Sequence, residues 1–219
     1  MNIRTDVQLH KNVVDELDFE PCLDASKVAV TVKNGIVTLS GSVPNYTAKW
    51  AAEKAVKRVH GVMGVAEELT VRSYPDSQHT DRDVAEAARQ ALEWNVATAE
   101  KNIQIKVERG WVTFEGEVEW QFQRQSAHDA VAHLLGVKGV INLLTLSTTV
   151  STADVQARIS EAFKRATSLD ASHVQVEADG GNVTLRGHLP SWTEIDAATL
   201  AAWNALGVTA VDNQISIRT

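Results

Sequence analysis

The stretch "NGIVTLSG" at residues 34–41 is the key to the fold, because close variants of it occur twice more in the chain. They are "RGWVTFEG" at residues 109–116 and "GGNVTLRG" at residues 180–187. The G-x5-G spacing matches neither the Walker phosphate loop nor the dinucleotide fingerprint, and it ends a strand where those motifs open a helix. We therefore interpret the stretch as a structural element of the fold and not as a phosphate-binding loop.

Glycines place the three stretches in register. Gly41, Gly116 and Gly187 are each followed, 20 residues later, by another glycine, in "GVMGV", "GVKGV" or "GVTAV". An internal repeat of about 70 residues indicates a tandem array of small domains. We predict domains at 1–74, 80–148 and 151–219, here called copies one, two and three. Nine glycines are assigned structural roles in the repeat: Gly35, Gly41, Gly61, Gly110, Gly116, Gly136, Gly181, Gly187 and Gly207.

Hydrophobic periodicity changes in the same order within each copy. A first segment with apolar residues three and four apart predicts a helix, and Thr80 with Asp83 and Ser151 with Asp154 are typical helix starts. Two alternating runs joined by "KNG", "ERG" or "DGG" predict an antiparallel hairpin, in which Val37 and Leu39 face the core. Gly35 permits the hairpin turn, and Gly41 lets the strand bend or accept a close neighbour.

A second helix and a last strand complete each copy. The helix carries an alanine-rich stripe, begins near Pro44-Asn45 or at a Ser191–Glu194 capping box, and is expected to end at Gly61, Gly136 and Gly207. We predict an α+β protein of three tandem αββαβ modules, each with two helices packed on a small three-stranded mixed sheet. The linker at residues 73–80 is predicted to be flexible, and the shorter one around 150–152 to hold copies two and three more firmly.

Composition excludes several classes of protein. A net charge of −7 argues against a general nucleic-acid binder. No segment is apolar for long enough to cross a membrane, and no signal peptide is visible, so we expect a cytoplasmic protein, or a periplasmic one if a leader has been removed. The lone Cys22 is expected to be a small, partly buried apolar residue.

The hairpin pattern G-x-V-T-L-x-G-x-V and the downstream G-V-x-x-V resemble those of BON domains, the bacterial module named for osmotic-stress and nodulation proteins. The resemblance covers nearly the whole chain and is weakest in copy three, where Ala210 replaces Gly64 and Gly139. It implies a non-enzymatic module found in osmotically induced proteins and proposed to bind phospholipid surfaces or protein partners.

Catalytic and metal-binding patterns are absent from the sequence. No two of the seven histidines share an equivalent position, and His128 and His133 miss the spacing of a helical zinc pair. We predict no catalytic residues, no metal site and no cofactor.

Two features are candidates for contact with a lipid or a partner. The first is an aromatic residue after the second strand of each copy, Tyr46, Trp120 and Trp192, with Trp50 and Phe122 nearby. Such residues suit a membrane interface or a partner's pocket, although they could instead fasten the helix onto its own sheet. The second is a set of cations on the second helix of copy one: Lys49, Lys54, Lys57 and Arg58. They could meet anionic phospholipid or form an ordinary solvated face.

Two functions remain open from these observations. The first is a stress-associated module that docks on a phospholipid surface, with salt-sensitive binding to anionic vesicles. The second is a scaffold whose repeated domains bind a protein partner with avidity.

Overall fold

The three predicted copies are present in the structure, a computed structural model that describes residues 6–72, 79–98, 102–147, 155–165 and 173–218. Copy one contains α1 (Asp6–Asp18), β1 (Val28–Lys33), β2 (Ile36–Val43), α2 (Tyr46–Arg58) and β3 (Gly64–Val71). Copy two contains α3 (Asp81–Trp94), β4 (Ile103–Glu108), β5 (Trp111–Val118), α4 (Gln121–Ala132) and β6 (Gly139–Leu146). Copy three contains α5 (Val155–Arg165), β7 (Val174–Asp179), β8 (Asn182–Leu189), α6 (Trp192–Trp203) and β9 (Ala210–Ile217).

Each copy has its own three-stranded sheet with the second strand in the centre. In copy one β1 runs antiparallel to β2, with Val30 opposite Leu39, and β3 runs parallel to β2, with Ala66 opposite Thr38. A tight turn suffices for the antiparallel pair, whereas the parallel pair needs a crossover, which α2 supplies. The α+β class and the αββαβ order predicted from the repeat are confirmed.

The core of each copy lies between the sheet and its two helices. Val37 and Leu39 are completely buried, as their alternation predicted. The alanine stripe of α2 is buried too, with Ala52 and Ala55 at 0% exposure, so small side chains bring the helix close to the sheet.

The second glycine of the repeated stretch lies very close to a neighbouring backbone carbonyl. Gly41, Gly116 and Gly187 have φ angles of 124°, 131° and 138°, which side chains rarely adopt. A Cβ on Gly41 would lie 2.3 Å from the carbonyl oxygen of Lys27, the residue just before β1. A side chain at Gly41 would therefore meet both an unfavourable φ and the nearby carbonyl.

A carboxylate at the start of the first helix holds the hairpin turn in copies one and two. Asp6 accepts hydrogen bonds from the backbone N–H groups of Asn34 (2.8 Å) and Gly35 (3.1 Å). Asp81 does the same for Arg109 and Gly110, both at 2.8 Å. The first helix is thereby fastened to the turn that the repeated glycine opens.

Helix starts follow the predicted signals more closely than helix ends do. Thr80 and Asp83 form the expected capping box, and the Ser191 hydroxyl accepts from the N–H of Glu194. The prediction that the second helices end at the repeat glycines is wrong: α2 ends at Arg58, before Gly61, and the glycine lies in the following turn with a positive φ. The two residues between, Val59 and His60, lie outside the helix but carry no sequence signal that distinguishes them from it.

Cys22 is exposed, which contradicts the partly buried position expected of it. It lies in the irregular segment between α1 and β1. The Ser151–Asp154 start signal, most of the 73–80 linker and the 150–152 linker lie outside the described residues, so the expected difference between the linkers stays a prediction.

Candidate functional site

The start of α2 packs against copy two. Tyr46 contacts the copy-two core, and its hydroxyl lies 3.4 Å from Nε2 of His128. The next residue, Thr47, donates to the Ala132 carbonyl at 3.2 Å, and its hydroxyl lies 3.0 Å from Nδ1 of His133. Burial raises the pKa of the Tyr46 phenol above its usual value, although a hydrogen bond with the Val140 backbone opposes this. Both histidines thus meet copy one, a role that their spacing along α4 did not reveal.

Trp50 extends the same contact, with its ring centroid 5.4 Å from that of His128. Lys54 places its ammonium 3.4 Å from the Trp50 ring centroid, a cation–π geometry. The aromatic residues at the start of α2 are therefore mainly engaged within the chain.

Trp192, at the start of α6, joins copy three to copy one. Its side chain packs against the cores of both copies, and the Lys57 ammonium lies 5.5 Å from its ring centroid. Among the described residues, its indole Nε1–H is buried without an acceptor. Desolvation raises the pKa of the nearby Asp196 above its usual value, partly offset by Lys57 and Lys54. Tyr46 and Trp192 hence serve the same purpose, in that each packs against another copy.

Most cations of α2 have acidic partners. Lys49 pairs with Glu67 at 2.8 Å and Lys57 pairs with Glu53 at 2.6 Å. Arg58 bridges Glu16 and Glu20 at the end of α1, at 2.8 and 3.1 Å. Lys54 is exposed and, within the described part of the chain, forms no ion pair. The charge that the sequence suggested for an anionic surface is thus largely neutralised inside copy one.

The corner of copy two differs from the other two. Trp120 is not equivalent to Tyr46 and Trp192, because it precedes α4 whereas those residues begin their helices; Gln121 takes that position. The Gln123 side-chain oxygen accepts from the N–H groups of Glu119 and Trp120 and so starts α4. Trp120 and Phe122 remain exposed, at 37% and 55%. The interpretation of one aromatic corner repeated three times is therefore wrong for copy two.

Two further apolar residues belong to this end of copy two. Trp94, the last residue of α3, is 88% exposed, and Val96 in the following turn is 97% exposed. Between them, the side chain of Asn95 donates to the Ser126 carbonyl on α4 at 3.4 Å, one helical turn beyond Phe122. We call the group Trp94, Val96, Trp120 and Phe122 the aromatic end.

The sequence contained a signal for the aromatic end that its interpretation missed. Phe19 and Trp94 are 75 residues apart, the offset between copies one and two, and Phe19 is 83% exposed. Each lies two residues beyond a buried leucine of the first helix, Leu17 or Leu92, and therefore off the buried stripe. A repeated aromatic off the core face could have indicated an exposed contact.

The contacts between copies repeat one arrangement, in which the second helix of one copy contacts another copy. Copy one meets copy two through Tyr46, and copy three meets copy one through Trp192, in both cases by the start of the second helix. Copies two and three border a common cleft, lined on one side by Arg124 and the end of β6 and on the other by Trp203 and the start of β9. A second helix therefore contributes to each of these three contacts between copies.

Neither a metal cluster nor a membrane-spanning helix occurs in the part of the chain that the structure describes. No three or more His, Cys, Asp or Glu side chains there are grouped to hold an ion. None of the helices in those ranges combines the length and the apolar character needed to cross a bilayer.

Comparison with solved structures finds distant likenesses. One is to the structural protein CdsD of the type III secretion system of Chlamydia trachomatis, at 16% identity and a TM-score of 0.27, over 95% of this chain and 91% of that one. Another is to the C-terminal domain of CdsD, at 16% identity and a TM-score of 0.27, over 99% of this chain and 100% of that one. The periplasmic domain of PrgH matches at 10% identity and a TM-score of 0.22, over 88% and 96%.

A search of curated proteins finds no match. The BON domain family matches three times, over residues 5–73, 80–148 and 151–219, which correspond to the three copies within a few residues at each end. The matches cover nearly the whole chain, so this protein belongs to the BON domain family, as three tandem copies of the domain.

Proposed function

We propose that this protein is a non-enzymatic binding protein that contacts phospholipid surfaces through the aromatic end of copy two. The observation that carries the proposal is the exposure of four apolar side chains at one end of one domain, Trp94 and Val96 above all. Exposed apolar groups mark contact sites when they lie near one another, and the Asn95–Ser126 hydrogen bond links the turn after Trp94 to α4 one helical turn beyond Phe122.

The residue types fit a membrane interface. Tryptophan is enriched at the level of the lipid headgroups, because its ring is largely apolar and its N–H can remain hydrated. Phe122 and Val96 supply purely apolar surface beside it. The family supports the same function, since BON domains are known as phospholipid-binding modules and the family is non-catalytic.

Charge contributes less to this contact than the sequence suggested. Three of the four α2 cations are paired with glutamates, and the fourth, Lys54, lies over the Trp50 ring. Each additional cation near an anionic surface adds about 1 kcal/mol. We therefore expect binding that weakens only moderately as salt is raised.

Vesicle co-sedimentation of the full chain tests the proposal. Replacing Trp94 and Phe122 by alanine removes most of the exposed aromatic surface. We expect vesicle affinity to fall by about 60-fold, from roughly 100 Å² of lost apolar contact at about 25 cal/mol per Å². Phe19→Ala is the matched control, because Phe19 has the same helix position in copy one and should leave binding unchanged. Equal losses in both variants, or unchanged binding of the double variant, would contradict the proposal.

A second candidate function rests on the outer face of the copy-two sheet. Trp111, Ile141 and Leu143 are 45%, 42% and 54% exposed on the face away from the core. The matching positions of copy three are Asn182, Asp212 and Gln214, all polar. Glu115 and Glu117 flank the apolar residues on β5, so the face suits an apolar protein segment with basic residues better than an anionic membrane. Capture of one stoichiometric protein that is lost in Trp111→Asn and retained when Trp94 and Phe122 are replaced by alanine, with no vesicle binding by the native chain, would favour this candidate.

A further inference from the structure

A cleft lies at the junction of copies one and two, apart from the aromatic end. It has a volume of about 250 Å³, below the range of pockets that hold drug-sized ligands. Copy one contributes the end of β3 with Arg72, and copy two contributes the hairpin turn at Arg109 and the loop before β6 with Lys138. A cleft of this size suits one small group and not an extended molecule.

Positive charge dominates the lining. Arg72, Arg109 and Lys138 border the cleft, against a single carboxylate, that of Asp81; the imidazole of His79 also lines it. Both oxygens of that carboxylate already accept hydrogen bonds from the N–H groups of Arg109 and Gly110. Within the described ranges Arg72, Arg109 and Lys138 take part in no ion pair, whereas the cations of α2 are mostly paired. In a chain of net charge −7, such a group of unpaired cations stands out.

The backbone at Arg109 is held in an unfavourable conformation. Its φ angle is 52°, in the left-handed region that asparagine and glycine tolerate best. The equivalent turn positions are occupied by Asn34 in copy one and Gly180 in copy three, which are the residues expected there. An arginine at this position destabilises the turn, and residues held in strained backbone conformations are concentrated at functional sites.

The charge is also particular to this junction. Lys138 corresponds to Met63 and Thr209 in the other copies, whereas Arg72 corresponds to Ser147 in copy two and to Arg218 in copy three. Arg109 and Lys138 are therefore the cations particular to copy two, and Arg72 of copy one joins them at this cleft.

We infer that this cleft binds a phosphate group. Arginine and lysine form charge-assisted hydrogen bonds with phosphate oxygens, and the arginine fork can hold two oxygens at once. A free phosphate and the phosphodiester of a lipid headgroup share this chemistry. The inference does not depend on membrane contact by the aromatic end, because Arg109 lies before the start of β5 and Trp120 beyond its end.

Titration of the full chain with inorganic phosphate, followed by amide resonances in NMR spectra, tests the inference at constant ionic strength. We expect saturable shifts at residues 72, 109, 110 and 138. The double variant Arg109→Asn with Lys138→Thr installs residues that other copies carry at these positions, so its fold should be retained. We expect it to weaken phosphate binding about tenfold or more. Lys106→Gln, which removes an exposed cation elsewhere on copy two, should weaken binding by less than about twofold.

Vesicles of phosphatidylcholine with and without phosphatidylglycerol identify the source of the phosphate. If the cleft takes a headgroup, the double variant loses affinity for the phosphatidylglycerol vesicles, and Lys106→Gln does not. If it takes a soluble phosphate, only the response to inorganic phosphate is lost. Either result supports the site. The inference is overturned if the double variant changes neither response, or if Lys106→Gln weakens binding equally. If vesicle binding is lost only when Trp94 and Phe122 are replaced by alanine, the result concerns the aromatic end and does not bear on phosphate binding by the cleft.

Discussion

Trp192 offers a direct measure of how strongly copies one and three are joined. Its side chain packs against both cores, and truncation to alanine removes contacts on each side. If the ring buries roughly 160 Å² beyond an alanine, the loss is about 4 kcal/mol at 25 cal/mol per Å². The buried Nε1–H without an acceptor already costs the native protein about 1–3 kcal/mol. We therefore expect Trp192→Ala to lower the free energy of unfolding by about 1–3 kcal/mol.

The variant Trp192→Phe separates the two contributions. Phenylalanine keeps most of the apolar contact and removes the unpaired N–H, so we expect a change within about 1 kcal/mol of the native protein. Urea denaturation followed by far-UV circular dichroism measures both variants. Leu200→Ala, on the same helix at an exposed position, should change stability by less than about 0.5 kcal/mol. The reasoning is refuted if Trp192→Phe costs as much as Trp192→Ala, or if Trp192→Ala costs no more than Leu200→Ala.

Two further predictions concern the repeat itself. Gly41→Ala should destabilise copy one by about 3 kcal/mol or more in thermal unfolding, because its Cβ would meet the Lys27 carbonyl at 2.3 Å; Gly64→Ala, which has ordinary space around it, should cost far less. Hydrogen bonds from the Thr80 backbone and hydroxyl lower the pKa of Asp83 below its usual 3.8, so its contribution to stability is present above pH 3.8 and is lost as pH falls through the lower folded value. Asp83→Asn should remove that part of the pH dependence in acid titrations monitored by circular dichroism, and an unchanged acid transition would contradict it.

Much of the fold could be predicted because the same pattern of glycines and alternating apolar residues occurs in all three copies. Gly41, Gly116 and Gly187 share a left-handed conformation, and Val37 and Leu39 alternate as a half-buried strand must. Boundaries without a distinctive residue were harder to predict, and α2 ends at Arg58, where neither glycine nor proline marks the end. Cys22 was misplaced because a lone cysteine in an irregular segment carries no periodicity.

Candidate contact residues could be recognised only in part. Trp120 and Phe122 were selected from sequence and are exposed, but Trp94 was missed, because an exposed aromatic differs from a buried one only by its angle around the helix. Lys49, Lys57 and Arg58 look like a free basic face in sequence. Their glutamate partners lie on β3, one turn away on α2, and at the end of α1, and only folding brings the more distant ones near.

The sequence by itself determined the αββαβ order of the module, the number of copies and the glycine-dependent hairpins. All three arise from short-range periodicity and backbone conformation. Only the tertiary structure decided which surfaces remain available. Tyr46 and Trp192 pack against other copies, while Trp94 and Phe122 remain exposed, and the cations of the cleft come together from two domains. The physical reason is that packing between domains depends on which side chains meet in space, and a pattern repeated in each domain does not encode that choice.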